Sequence, residues 1–291
     1  MDSQQLKAFL AVVEHGSFSE AAEQLFLTQS AVSKRIQTLE QQLDTQLFER
    51  HNRSVSLSES GELLLPRAKH ILQLMDDTQL QLTNLSGSVT GVLSMATSHH
   101  IGLHRLPPFL KDFARRYPQA RLDLQFLGSE DAYRAVEQRS VELALTTLDS
   151  NASEQLQSWP LWQDELHFVV SREHPLANRI RTSLADLSQW PAILPEKDTI
   201  TYRLVEQQFI EGGQKLHTSM PTNYLETIKM MVSVGLGWSV LPPSMIDDQL
   251  IVLDCDQPPL TRELGIIHLR NRPQSNAANA MMALLKSTPD I

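Results

Sequence analysis

Residues 17–36 have the sequence SFSEAAEQLFLTQSAVSKRI, which contains the signals for two short helices joined by a tight turn. Ser17 followed by Glu20 fits a capping box at the start of the first helix, and Thr28 fits the N-cap of the second. The second helix has one apolar face, formed by residues three or four positions apart: Val32, Ile36, Leu39 and Leu43. This pattern predicts a helix-turn-helix.

The opposite face of that second helix is polar and basic. Its Gln, Ser, Lys and Arg side chains are long enough to reach base edges and phosphates when such a helix lies in a major groove. For the basic side chains alone, an ordinary solvated surface is the alternative interpretation. Their combination with the helix pair favours DNA recognition, and the predicted DNA-binding residues are Gln29, Ser30, Ser33, Lys34, Arg35, Gln37, Arg50 and Arg53.

Elements on both sides of this pair complete a small domain. Asp2 and Gln5 fit the cap of an earlier amphipathic helix that carries Leu6, Phe9, Leu10 and Val13, so a three-helix core is expected. After the pair, residues 48–50 and 55–57 are short strand-like segments around the turn-rich residues 51–54. We expect a wing whose tip carries Arg50 and Arg53.

These same positions resemble the amino-terminal domain of LysR-type transcriptional regulators. The resemblance rests on Phe9, Gly16-Ser17-Phe18, Ala21-Ala22, Leu25, Gln29-Ser30-Ala31-Val32-Ser33, Ile36, Leu39-Glu40, Leu43, Leu47-Phe48 and Arg50. It implies a sequence-specific transcription factor that binds double-stranded promoter DNA, is controlled by a small-molecule effector and assembles as a dimer of dimers. It also implies RNA polymerase as a partner and a two-lobed effector-binding domain in the rest of the chain.

Composition limits the function classes independently of that resemblance. The 291 residues are 41% hydrophobic, enough for two or three domains with buried cores. The net charge of −9 means that attraction to DNA must come from a local basic patch. Neither an apolar run of membrane-spanning length nor a secretory signal is visible, so we expect a cytoplasmic protein without a membrane partner. Cys255 is the single cysteine, which excludes an internal disulfide and favours a structural over a redox-sensing role.

Residues 59–87 are predicted to form a linker and dimerisation helix capped by Ser58. A heptad-like seam runs along it, broken by Thr78: Leu64, Ala68, Ile71, Met75, Thr78, Leu82 and Leu85. This seam favours a partner helix, with packing inside one chain as the alternative. Pro66 is expected to kink the helix or to mark a restart, and residues 86–91 provide a stop and a flexible joint.

Beyond the joint the pattern changes to strands that alternate with helices. We therefore predict a winged helix-turn-helix domain at 1–58, the linker helix at 59–87, and a two-lobed α/β effector-binding domain of periplasmic-binding-protein type at 88–291. The first lobe spans about 92–162 and 267–291 and the second about 163–266. A small molecule is expected between the lobes, because open α/β sheets bind ligands at strand ends.

Three loops are predicted to supply most of the effector site, at residues 97–100, 128–129 and 199–203. Hydroxyls and backbone N–H groups at helix starts favour an anion, with a small carboxylate as the default choice. The resemblance places Ser98, Ser129, Thr201 and Tyr202 where effector contacts of the family commonly lie. The full set of predicted effector-binding residues is Ser98, His99, His100, Gly128, Ser129, Thr146, Thr199, Thr201, Tyr202, Arg203 and Tyr224.

The same part of the chain invites other chemical interpretations. His100 and His104 have a zinc-like spacing on a helix, but the third ligand is not apparent and Gly102 weakens the helix, so no metal site and no cofactor are predicted. No nucleophile with a paired base is visible, so we expect no enzyme. The alternative is a two-lobed solute-binding or enzymatic module with an incidental DNA-binding domain.

Overall fold

The computed structural model describes residues 1–51 and 54–287, which form two compact units, Met1–Ser86 and Gly87–Ile291. Within the described residues, no helix is long and apolar enough to cross a membrane.

The first unit begins with three helices, α1 (Ser3–His15), α2 (Phe18–Gln24) and α3 (Gln29–Leu43). Asp2 and Gln5 form a complete capping box before α1, as the sequence predicts. At α2 the Ser17 hydroxyl accepts from the backbone N–H of Glu20 at 3.4 Å. At α3 Thr28 accepts from the N–H of Ala31 at 3.2 Å. These local contacts fix where the helix pair starts and turns.

The core of this unit is built from one face of each helix. Phe9 packs against Phe48 with ring centroids 5.4 Å apart, and Val32, Ile36 and Leu39 of α3 are buried. The apolar spacing predicts that Leu43 continues this face, but Leu43 is 38% exposed, because it lies at the last position of α3, beyond the core. Phe26, in the turn between α2 and α3, has a positive φ of 54° and is almost fully exposed.

The wing is an antiparallel pair, β1 (Phe48–His51) and β2 (Ser54–Leu57), as predicted. The carboxylate of Glu40, on α3, accepts the backbone N–H of Leu47 at 2.8 Å and thereby ties the start of the wing to the helix. Of the predicted tip, Asn52 and Arg53 lie outside the described residues.

The long helix α4 (Glu59–Asn84) begins at Ser58, whose hydroxyl accepts the N–H of Gly61. Gly61 is required there, because a Cβ would lie 2.2 Å from the carbonyl oxygen of Leu47. The helix continues through Pro66, so of the two alternatives expected there, a kink or a restart, the restart is wrong. Its early turns pack on the helix-turn-helix core through Leu64, Leu65 and Ala68, and this packing outweighs the local cost of the proline.

The second unit is organised on one mixed sheet with the strand order β4-β3-β5-β9-β6-β7, and β8 pairs with β6. The strands are β3 (Gly91–Thr97), β4 (Ala120–Phe126), β5 (Leu143–Thr147), β6 (Leu156–Ser171), β7 (Ser239–Leu241), β8 (Leu250–Val252) and β9 (Leu260–Leu269). The helices are α5 (His99–His104), α6 (Pro107–Arg116), α7 (Ser129–Glu137), α8 (Leu184–Leu187), α9 (Ile200–Glu211), α10 (Leu225–Ser233) and α11 (Asn276–Lys286).

Two long antiparallel strands, β6 and β9, pass through both lobes, with register from Leu156↔Leu269 to Leu166↔Leu260. Leu264 packs in the core of the first lobe, whereas Leu166 and Leu260 pack in the core of the second. The chain therefore returns to the first lobe at about Leu264, three residues before the boundary expected at 267.

Close packing explains the glycine within the short helix α5. Gly102 is buried, and a Cβ there would lie 2.4 Å from Cε1 of Phe126. Glycine at this position therefore lets α5 approach β4, although it weakens the helix itself.

Candidate functional site

The exposed face of α3 carries most of the predicted DNA-binding residues. Gln29, Ser30, Lys34 and Gln37 are exposed, and Ser33 and Arg35 are partly buried. The hydroxyl of Ser30 lies 3.0 Å from that of Thr28, so the start of the helix is held in place. Arg50 lies on β1, and Arg53 falls outside the described residues. The geometry gives α3 a free polar face of the kind that enters a major groove.

The second unit contains a cavity of about 310 Å³ between its two lobes. Its lining comes from both lobes and includes Ser98, His99, His100, Gly128, Ser129, Glu130, Asp131, Thr147, Glu196, Thr199, Thr201, Asn223, Tyr224 and Arg262. Four helices, α5, α7, α9 and α10, begin at this cavity. The caps of α7 and α10, Gly128 and Tyr224, make no side-chain capping bond within the described chain. The Glu130 carboxylate accepts its own backbone N–H in α7 and that of Ile200 in α9, so the first N–H groups of α10 are the ones left for a ligand.

Eight of the predicted effector-binding residues line this cavity: Ser98, His99, His100, Gly128, Ser129, Thr199, Thr201 and Tyr224. Three do not, and each has a physical reason. Thr147, not Thr146, lines the cavity, because successive residues of β5 face opposite sides and Thr146 is fully buried. Tyr202 packs in the core of the second lobe. Arg203 forms an ion pair with Asp149 and lies outside the lining.

The most buried part of the lining contains a residue that sequence reasoning missed. Arg262, on β9, donates from Nε and Nη2 to Oδ2 of Asp164, on β6, at 3.0 and 2.8 Å. Its Nη1 donates to the Thr201 hydroxyl at 2.8 Å. Arg105 also reaches Asp164, at 3.4 Å. Asp164 is therefore held by two guanidinium groups, of which Arg262 lines the cavity.

The outer part of the lining is acidic. Asp131 and Glu196 are exposed at the mouth, and burial raises the pKa of Glu130 beside them. His100, at the inner end, has its pKa lowered to about 4, chiefly by burial and then by the charge of Arg262. Its imidazole is therefore neutral near pH 7. The cavity thus combines an ion-paired arginine and hydroxyl groups at its inner end with an acidic mouth.

The histidines of α5 have different surroundings. His99 stands edge-on to Tyr224, with ring centroids 4.5 Å apart. His100 and His104 face Glu226 of α10, and one ligand atom from each of the three lies within 4.8 Å of the others. Glu226 is the third potential metal ligand beside His100 and His104, and it was not apparent from the sequence. The other reactive candidate, Cys255, is partly buried, and burial raises the pKa of its thiol, which disfavours redox sensing.

Two family models match the chain. Residues 3–62 match the bacterial regulatory helix-turn-helix protein of the lysR family. Residues 86–289 match the LysR substrate binding domain. The two matches cover the first unit through the wing and nearly the whole second unit.

Known proteins agree with these models. The probable nitrogen assimilation transcriptional activator of Synechococcus elongatus is 32% identical over 279 residues, covering 92% of this chain and 88% of the relative. Full-length CbnR, solved in complex with its target DNA, has a TM-score of 0.62 at 19% identity, with 99% of both chains covered. The effector binding domain of QuiR in complex with shikimate has a TM-score of 0.62 at 20% identity, covering 68% of this chain and 96% of that one. The chain belongs to the LysR family of bacterial transcriptional regulators, with a helix-turn-helix DNA-binding domain and a two-lobed effector-binding domain.

Proposed function

We propose that this regulator binds promoter DNA through the polar face of α3 and that a small carboxylate bound in the cavity between the lobes controls it. The observation that carries the effector proposal is the inner end of the cavity. There the Arg262 guanidinium and the Thr201 hydroxyl lie together, and the helices that begin at the cavity direct N–H groups towards it. Buried donors and helix N-termini favour a negative charge at this position.

The cavity also limits the size and charge of the effector. A volume of about 310 Å³ lies at the lower end of the range for small-molecule sites, so the effector is a small metabolite. The acidic mouth formed by Glu130, Asp131 and Glu196 repels a second carboxylate and attracts a donor or a cationic group. We therefore propose a monocarboxylate that carries hydroxyl or amino groups at its other end. Shikimate, the ligand of the QuiR domain, is such a hydroxylated monocarboxylate.

The predicted DNA-binding residues are proposed to divide into two roles. Gln29, Ser30, Ser33 and Gln37 contact base edges, whereas Lys34, Arg35, Arg50 and Arg53 contact phosphates. CbnR, which has the same fold, has been solved in complex with its target DNA. Since the protein acts on chromosomal DNA, we place it in the cytoplasm. We propose a regulatory and not a catalytic role, because its curated relatives are named as transcriptional regulators and activators.

We propose that two copies of the chain associate through the later turns of α4. Ile71 packs against the helix-turn-helix core, but Met75, Leu82 and Leu85 are at least half exposed on the same side of the helix. Such a row of apolar residues at heptad spacing is typical of a helix that pairs with a second copy. Dimers formed there would assemble into the proposed dimer of dimers, which meets RNA polymerase at the promoter.

Met75→Glu combined with Leu82→Glu is expected to weaken dimerisation at least about tenfold, because like charges would face each other across the helix pair. The matched control is Gln73→Glu combined with Thr83→Glu, which adds the same charge to the same turns of α4 but away from the apolar row. Sedimentation velocity over a concentration series measures the effect. An unchanged dimer in the Met75 and Leu82 variant would place self-association elsewhere.

The function itself is tested by fluorescence anisotropy with a labelled duplex from the promoter of this gene and a scrambled duplex of equal length. The expected result is tighter binding to the promoter duplex and a change in that affinity when a panel of small monocarboxylates is added. An effector acts only through different affinities for the two states of the regulator. Equal binding to both duplexes at all salt concentrations would contradict the proposal.

A further inference from the structure

The strongest feature that the regulator's function leaves unexplained is the group formed by His100, His104 and Glu226. His100 and His104 are four residues apart on α5, so their rings share one face of the helix, with ring centroids 5.1 Å apart. Glu226 lies in the first turn of α10, in the other lobe. Two imidazoles and a carboxylate converge from two lobes at one point.

Hydrogen bonding does not account for His100. Its side chain is only 4% exposed, and neither ring nitrogen has a hydrogen-bond partner in the described chain. The closest carboxylate oxygen, Oδ2 of Asp164, lies 3.9 Å from Nε2, which is too far for a hydrogen bond. An imidazole buried without a partner costs free energy, and structures retain such groups where another ligand satisfies them.

Glu226 completes the group with matching geometry. Its Oε1 is buried without a hydrogen bond in the described chain and lies 3.4 Å from Nε2 of His104. In a tetrahedral zinc site with bonds of about 2.0–2.1 Å, two ligand atoms lie roughly 3.4 Å apart. Small side-chain rotations bring His100 to the same separation, since the three ligand atoms already lie within 4.8 Å of one another.

We propose that His100, His104 and Glu226 bind a divalent transition metal ion, with Zn²⁺ as the best match to two imidazoles, one carboxylate and an open fourth position. The ion would join α5 of the first lobe to α10 of the second at the side of the effector cavity. Its binding would therefore favour one arrangement of the lobes. The site adjoins the proposed carboxylate position, because His100 also lines the effector cavity, but the metal proposal does not depend on the effector.

The test uses the tag-free full-length protein, stripped with a chelator and titrated with Zn²⁺ in competition with a chromophoric chelator. Wild type is expected to bind one Zn²⁺ per chain, and Co²⁺ in its place is expected to give the intense visible absorption of a four-coordinate site. His104→Gln and Glu226→Gln are each expected to lower the affinity at least about 100-fold, because a ligand is lost. Both positions are partly exposed, and unchanged tryptophan fluorescence would show that the variants fold.

His99→Gln is the matched control, because His99 neighbours the site but contacts Tyr224 and Phe126. It is expected to bind Zn²⁺ as wild type does. The proposal is overturned if wild type takes up no stoichiometric Zn²⁺, or if His104→Gln and Glu226→Gln bind it as well as His99→Gln. Because the readout is metal binding, neither result affects the effector proposal.

Discussion

Arg262→Met is expected to lower the free energy of unfolding of the effector-binding domain by about 3 kcal/mol or more. Asp164 is 2% exposed and depends on Arg262 for two of its contacts. Methionine removes the guanidinium and leaves a buried carboxylate with Arg105 alone, at 3.4 Å. Breaking a buried ion pair in this way is costly, because the remaining charge keeps its desolvation penalty.

Urea unfolding followed by tryptophan fluorescence measures this loss. The protein has four tryptophans, Trp159, Trp162, Trp190 and Trp238, and all lie in the effector-binding domain, so the signal reports that domain alone. Arg203→Met is the matched control, because its ion pair with Asp149 is partly exposed and contributes less than about 1 kcal/mol. Adding Asp164→Asn to Arg262→Met is expected to restore much of the stability. If the two arginine substitutions lowered the free energy of unfolding equally, the buried pair of Arg262 and Asp164 would not be a special source of stability.

Ser33→Ala combined with Gln37→Ala is expected to weaken binding to the promoter duplex by about 100-fold and to leave binding to a scrambled duplex unchanged. Each lost base contact costs about 1–3 kcal/mol and carries sequence information. Lys34→Ala is expected to weaken binding to both duplexes and to reduce the salt dependence, because phosphate contacts are independent of sequence.

Anisotropy titrations at two salt concentrations separate these results. Gln24→Ala, an exposed glutamine at the end of α2, is the control for loss of a glutamine outside α3. If the Ser33 and Gln37 variant lost the same affinity for the promoter duplex as for the scrambled duplex, these side chains would contact the DNA backbone and not the bases.

The DNA-binding domain could be predicted from the sequence because its signals are local. Asp2, Ser17 and Thr28 cap their helices through backbone groups three residues away, and the apolar spacing of α3 identifies its buried face. The error at Leu43 arose where the helix extends beyond its core. The linker seam was also visible, but its spacing could not show that Ile71 packs within the chain and that Leu82 does not.

The effector cavity depends on contacts between distant residues, so the sequence predicted its loops but not its inner end. Asp164 and Arg262 are 98 positions apart and meet only through the register of β6 and β9. Both strands carry further charged residues, Glu165 and Glu263, so charge alone did not identify the pair. Likewise, Glu226 of one lobe contacts His104 of the other. The sequence also could not show which side of β5 faces the cavity, and so could not distinguish Thr147 from Thr146.

The thermal shift that a ligand produces shows whether the effector binds in the cavity between the two lobes. Wild type, Thr201→Val and Thr146→Val are compared against a panel of hydroxy and amino monocarboxylates. Thr201 lines the cavity and contacts Arg262, whereas Thr146 is buried beside it and does not line it. A carboxylate is expected to raise the melting temperature of wild type and Thr146→Val and to have a clearly smaller effect on Thr201→Val. Equal shifts in all three proteins would place the effector outside the cavity.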